Sequence, residues 1–272
     1  MQTSGTRPTR RNWLAASTRL SYRSVTTDLL APFRTMPATS AILLDVDGTL
    51  APIVARPDLT RVPLETLEVI GKLVARYALV ACVSGRQARE VARLVPVVGV
   101  QYIGNHGLER LVGEMLEWTD GAADWVPIVA STCQTIGPIA AEVGAWVEDK
   151  GATLSVHLRE APDAEHARAV LVERAVPLLT AAGLRWRFGR MTLEAQPPIS
   201  ADKGTAIATL LADYPAVERS LYAGDDLTDL DGFRAVDLAI AVQSNETPEE
   251  LLAGADLVVN GVEGLATLLM KL

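Results

Sequence analysis

Short apolar runs alternate with amphipathic stretches along most of the chain. The runs are "AILLD" at 41–45, "ALVACV" at 78–83, "VQYIG" at 100–104, "SLYAG" at 220–224, "DLAIAV" at 237–242 and "DLVV" at 256–259. Runs this short, rich in Val, Ile and Leu and stopped by Gly, Asp or Ser, read as parallel strands buried on both faces. Between them, residues 63–76 open on Pro63 and set Leu67, Ile70, Leu73 and Val74 on one helical face. Residues 87–95 repeat the pattern with Ala88, Val91, Ala92 and Val95, and residues 204–212 also read as a helix. Strand–helix alternation predicts an open α/β sheet, whose ligands collect at the carboxyl ends of the strands.

From about 114 to 195 the rhythm breaks. Strand-like "EMLEW", a helical 121–147, strand-like "ATLSVHLR", a helical 163–182 and two close strands in "LRWRFGRMTLEA" follow one another. The second helix has Asp163 as its cap after Pro162, a kink expected at Pro177, and a stop at Gly183. This predicts a separate α+β insert over 114–195 that splits the core into 39–113 and 196–272. Residues 1–38 hold six arginines and a single acid, Asp28. They read as a basic N-terminal extension, or as a targeting or partner-binding segment.

Composition narrows the function classes. The chain has 272 residues, 49% of them apolar, and a net charge of −8. An acidic chain lacks the basic face that nucleic-acid binding needs, so no nucleic-acid partner is expected. The two cysteines, Cys82 and Cys133, give neither a disulfide framework nor a zinc site. No run of about 18 consecutive apolar residues occurs, so no membrane partner is expected and the expected compartment is cytoplasmic.

Four motifs fall at carboxyl ends of core strands. In Asp45-Val46-Asp47-Gly48-Thr49, a two-residue spacing puts both acids on one side of an extended backbone. Like charges about 4 Å apart repel by roughly 4 kcal/mol at an effective dielectric near 20. A cation between them, or a proton on one, would relieve this; taken alone, the stretch also fits an ordinary Asp-Gly turn. Ser84-Gly85-Arg86 brings a hydroxyl and backbone amides to a helix start, which suits an anion as well as a plain cap. Lys203-Gly204 puts a cation where the helix dipole disfavours it, unless the charge serves a bound anion. Finally, "GDDLTDLDGF" at 224–233 crowds Asp225, Asp226, Asp229 and Asp231 into seven positions. A calcium loop fails at both acid stretches, because Arg56 stands at its twelfth position in one and Leu227 at its first in the other. Two acids, a hydroxyl, a lysine and an acid cluster from one sheet suit Mg2+ plus a phosphate.

The order DxDGT, SGR, KG, GDDxTD resembles the haloacid-dehalogenase-type phosphatases over about 39–272. That resemblance implies a Rossmann-like parallel-sheet core with the insert as a cap domain. Further stretches resemble the trehalose-6-phosphate phosphatase family: "LLDVDGTLAPI", "GNHGLE" at 104–109, "VEDKGATLSVHLR", "MTLEAQPP" and "GDDLTDLDGF". By that resemblance Glu148, Lys150 and Glu194 would contact sugar hydroxyls, with His157 and Arg159 near them. Three positions depart from the family pattern. Leu230 stands for a Glu, Gly232 for an Ala, and Leu158 where an aromatic is common.

The expected activity is Mg2+-dependent hydrolysis of a small-molecule sugar phosphate, trehalose 6-phosphate, through an aspartyl-phosphate. Asp45 is the expected nucleophile and Asp47 the acid/base. Gly48, Thr49, Ser84, Gly85 and Lys203 would hold the phosphate. Metal would be held by Asp45, the Asp47 backbone carbonyl and Asp225, with Asp226 or Asp229 behind them. His106 is expected to be structural. Two rival readings are a phosphatase for a sucrose- or mannosyl-type ester and a non-catalytic sugar-phosphate sensor. The sensor should have lost one of the acids or the lysine.

Overall fold

The computed structural model describes residues 28–54, 56–189 and 191–272. Its strands are β1 (Ser40–Leu44), β2 (Leu79–Val83), β3 (Gln101–Gly104), β4 (Glu109–Val112), β5 (Met115–Trp118), β6 (Trp146–Asp149), β7 (Leu154–His157), β8 (Arg185–Phe188), β9 (Thr192–Gln196), β10 (Arg219–Gly224), β11 (Leu238–Gln243) and β12 (Leu257–Asn260). The main sheet runs β12-β11-β10-β1-β2-β3-β4-β5, parallel from β12 to β3 and antiparallel across β3, β4 and β5.

Alternation along the central strands explains the layers. Ile42 and Leu44 face one core with the helices Leu64–Val74, Ala88–Leu94 and Gly261–Leu269. Ala41 and Leu43 face the other, under Lys203–Ala212, Asp229–Arg234 and Glu249–Gly254. A sheet buried on both faces needs strands without a polar side, which is why these runs are continuously apolar. Cys82 is buried in the first core, as a small apolar residue would be.

The insert holds a second sheet, β6-β7-β9-β8, antiparallel throughout. Leu154, Val156, Leu193 and Ala195 pack against the helix Val126–Glu142 and the helical run 164–181. The opposite face carries the alternate residues. Register lines up Glu148, Ser155, Glu194 and Arg187 across the four strands, with Trp146, His157 and Thr192 in the next row. Asp163 caps the 164–170 helix by accepting the His166 amide. The kink takes the form of a wider π turn, Leu171–Ala175, just before Pro177. Proline lacks the N–H that the carbonyl four residues back would need.

Three expected boundaries move. "EMLEW" belongs to the main sheet: β5 pairs with β4, and that hairpin extends the sheet edge instead of opening the insert. The helical 121–147 shortens to Val126–Glu142, because Gly144 at φ +72° turns the chain into β6. The extension ends earlier than residue 38, since Leu30 and Phe33 are buried in the first core and Tyr77 donates to the Phe33 carbonyl. Five of its six arginines, Arg7, Arg10, Arg11, Arg19 and Arg23, lie outside the described residues. No helix among the described residues is long and apolar enough to cross a membrane.

Candidate active site

A cavity of about 520 Å³ lies between the carboxyl ends of the main strands and the polar face of the second sheet. That volume suits a small organic ligand. Asp45, Asp47, Ser84, Gly85, Lys203, Asp225 and Asp226 line one side, and Glu148, Lys150, His157, Arg159 and Glu194 the other.

β1 ends at Leu44, and the two acids of the first motif then part. Asp45 accepts from Lys203 Nζ at 2.8 Å, and the same ammonium donates to Asp229 at 2.7 Å. Asp47 is held by Arg86, Nε to Oδ2 at 2.6 Å and Nη2 to Oδ1 at 2.8 Å. Each acid thus has its own cation, which removes most of the repulsion expected between them. Arg86 is itself fixed by Thr60, the Pro57 carbonyl and Glu90. Sequence reading noted Arg86 in its motif without giving it a role. The signal was position, since it follows β2 and β2 pairs with β1.

Lys203 is the first residue of its helix. Asp202 caps that helix by accepting the Thr205 amide. The Lys203 side chain is 4% exposed. Burial alone would lower it; Asp229 and Asp45 more than reverse this and hold it above the ordinary lysine range. Burial pushes the Asp45 carboxyl up, Lys203 pulls it down, and Asp229 and Asp225 push again, leaving it well above the usual carboxylate range.

Carboxylate oxygens of Asp45, Asp225 and Asp229 lie within 4.8 Å of one another, all three residues buried. Three acids around one lysine leave excess negative charge, and an all-oxygen donor set fits a hard divalent cation. Asp229 also accepts from the Tyr222 hydroxyl and from the amides of Asp225 and Asp226, both at 2.9 Å. It therefore orders the acidic loop from behind. The Asp226 carboxylate and the Asp47 side chain are outside the cluster.

Tyr222 explains one departure from the family pattern. A Cβ on Gly232 would sit 2.4 Å from the Tyr222 ring, so glycine there makes room for the phenol. Leu230 packs beside the second core, and Leu158 is buried in the core of the insert, away from the cavity.

Two phosphate assignments need correction. The Gly48 amide donates to the Ala51 carbonyl at 2.7 Å, and the Thr49 amide to the Val46 carbonyl at 3.3 Å. Both are used in closing the turn, and neither residue lines the cavity. Gly48 serves sterically. Its φ is +76°, and a Cβ there would lie 2.1 Å from Asp225 Oδ2. Ser84 and Gly85 do face the cavity, and Ser84 Oγ accepts the Arg86 amide at 3.2 Å.

On the cap side, Glu148 pairs with His157 Nε2 at 2.7 Å and lies 3.8 Å from Lys150 Nζ. Burial opposes ionisation of Glu148, yet His157, Lys150 and Arg86 keep its carboxyl below the usual range. Trp146 stacks on His157 with ring centroids 4.1 Å apart. Glu194 accepts from Arg187 at 2.7 and 2.9 Å. Arg187 was missed by sequence reading; its signal was its register with Glu194. Arg159 lies 3.6 Å from Glu246 of the core, across the cavity mouth. His106 also lines the cavity, and its Nδ1 is buried without a partner. Burial lowers its imidazole to about 4.

Comparison with known proteins adds a family. The trehalose-phosphatase family model matches residues 43–249. A trehalose-phosphate phosphatase of Mycobacterium tuberculosis is 34% identical over 208 residues, 72% of this chain and 51% of that protein. The chain thus spans about half the length of the curated relatives it matches. Among solved structures, a trehalose-6-phosphate phosphatase related protein superposes with a TM-score of 0.73 at 24% identity, covering 85% of this chain and 96% of that one. A sugar phosphatase of haloacid-dehalogenase subclass IIB has a TM-score of 0.57 at 15% identity, covering 86% of this chain and 98% of its own; these likenesses show the fold.

Proposed function

The chain belongs to the trehalose-phosphatase family, and on that premise we propose that it hydrolyses trehalose 6-phosphate to trehalose and inorganic phosphate. One observation carries the reading: a cluster of Asp45, Asp47 and Lys203 faces Glu148, Lys150 and Glu194 across a single cavity. The first set suits a phosphoryl group and the second a polyhydroxylated leaving group.

Asp45, ionised once a bound cation offsets the charge of Asp225 and Asp229, attacks phosphorus, and the bond from phosphorus to the sugar oxygen breaks, leaving an aspartyl-phosphate. Asp47, held as a carboxylate by the Arg86 fork, gives a proton to the departing oxygen after one of its oxygens leaves the fork and is protonated from solvent. It then takes a proton from the water that hydrolyses the acyl phosphate. Lys203 and Ser84 hold non-bridging oxygens. Asp45, the Asp47 backbone carbonyl and Asp225 would hold Mg2+, whose charge would offset repulsion between carboxylate and phosphate. Glu148, Lys150 and Glu194 take sugar hydroxyls, with His157, Arg159 and Arg187 beside them, while the cap excludes water. The sensor reading is disfavoured because Asp45, Asp47 and Lys203 are all present and face one cavity.

A panel of sugar phosphates assayed for phosphate release under Mg2+ tests the substrate. Trehalose 6-phosphate should give the highest kcat/KM. A preference of roughly tenfold or more for another sugar phosphate, worth about 1.4 kcal/mol, would overturn the assignment.

A further inference from the structure

After β3 the backbone turns left-handed at two consecutive residues, Asn105 at φ +49° and His106 at φ +56°. Side chains other than glycine rarely accept this conformation, and asparagine is among the most tolerant. Asn105 is fully buried, and its polar groups are engaged on both sides of the cavity. Toward the core, its backbone N–H donates to the Arg86 carbonyl at 2.8 Å, and the next amide, of His106, donates to the Ser84 carbonyl at 3.0 Å. Toward the cap, its Nδ2 donates to the Lys150 carbonyl at 2.8 Å, and its Oδ1 accepts from Thr153 Oγ1 at 2.7 Å. The Lys150 amide in turn closes its own turn on the Thr153 carbonyl at 2.9 Å. Behind this, the Glu109 carboxylate accepts the Ala88 amide at the start of the helix after the Ser84–Arg86 motif.

One buried amide thus joins the loop that faces the phosphate to the turn that carries Lys150. Resting on the function proposed above, we propose that Asn105 is a positioning residue that fixes the span between the phosphate end and the sugar end of the site. A substrate is then selected by presenting its phosphate and its hydroxyls at one set distance. Its closest replacements each miss one demand of the turn, the donor or the acceptor. Aspartate accepts the left-handed turn but has no donor for the Lys150 carbonyl. Glutamine has donor and acceptor but is one methylene longer. Glycine keeps the turn and loses the tie.

The test uses the full chain with Mg2+ and the variants N105G, N105D and T153V. Three readouts apply: kcat and KM for trehalose 6-phosphate, the inhibition constant of orthovanadate, and amide hydrogen exchange over 149–155. Orthovanadate reports the phosphate end alone. In N105G the KM should rise roughly tenfold, the worth of one or two net hydrogen bonds, while the vanadate constant stays within about twofold and exchange over 149–155 accelerates. N105D should lose at least as much, because an oxygen then faces the Lys150 carbonyl. T153V should move the same way by roughly threefold, since it removes one bond. An unchanged KM in both Asn105 variants, unchanged exchange, or a vanadate constant that rises in step with KM would overturn the proposal. Should N105G and N105D fail to fold, T153V decides by the same readouts. Absence of phosphate release by the unaltered chain would instead count against the proposed substrate, and the exchange measurement would still decide the role of Asn105.

Discussion

Lys203→Met removes the ammonium while keeping most of the side-chain volume. Lys203 Nζ lies 2.8 Å from Asp45 and 2.7 Å from Asp229, and the three side chains are 4%, 6% and 0% exposed. At an effective dielectric near 20, each contact is worth roughly 6 kcal/mol of gross attraction. Desolvation of the ions returns much of that, and breaking a buried network by deleting one partner costs about 3–5 kcal/mol. The variant leaves Asp45, Asp225 and Asp229, with oxygens within 4.8 Å, and no cation among them. Urea and thermal unfolding in EDTA should therefore show a loss of about 3–5 kcal/mol and a Tm lower by on the order of 10 °C. Added Mg2+ should stabilise the variant more than the unaltered chain, because the ion then meets acids with no competing ammonium. Phosphate release should fall by roughly 10³-fold, the scale of losing one preorganised charge at the reacting group. Stability within about 1 kcal/mol of the unaltered chain in EDTA, with equal stabilisation by Mg2+, would refute the reasoning.

Asp45→Asn should abolish phosphate release with the circular dichroism spectrum unchanged; near-normal turnover under Mg2+ would exclude Asp45 as nucleophile. Arg86→Gln removes the fork on Asp47 and should lower kcat by roughly 10²-fold with KM little changed, and Arg86→Lys should recover only part, because an ammonium cannot fork a carboxylate. A loss confined to KM would argue against that role. His106, lowered by burial to about 4, resists a proton that the unfolded chain takes up near 6.5. Its contribution is whole above about 6.5 and fades as pH falls toward 4, costing about 2–3 kcal/mol by pH 4.5. His106→Asn, which tolerates the same turn, should flatten that slope in urea unfolding at pH 7 and 4.5, and an identical slope in both proteins would contradict it.

Much of the frame was legible in the sequence because its signals are local. A strand buried on both faces must be apolar, so β1, β2, β10 and β11 appear as short apolar runs. β3 is buried only at its end, and β12, at the sheet edge, alternates half-buried and exposed residues. Acids that break such runs fall at carboxyl ends, which put Asp45, Asp47 and Asp225 at one edge before any coordinates. The edge hairpin was harder to read. β4 and β5 are four residues each and carry charged residues, so "EMLEW" showed a strand without showing its partner.

What the sequence by itself determined is which face each residue takes relative to its own backbone, and hence which chemistry gathers at the strand ends. The tertiary structure alone decided the pairings. Lys203 reaches Asp45 across 158 residues, Arg86 reaches Asp47 across 39, and Thr153 reaches Asn105 across 48. It also decided that the Gly48 and Thr49 amides close a turn instead of facing the cavity. Periodicity repeats within a few residues and follows from backbone geometry. The identity of a distant partner depends on strand order, register and the path of each loop, and these are fixed only when the sheet assembles.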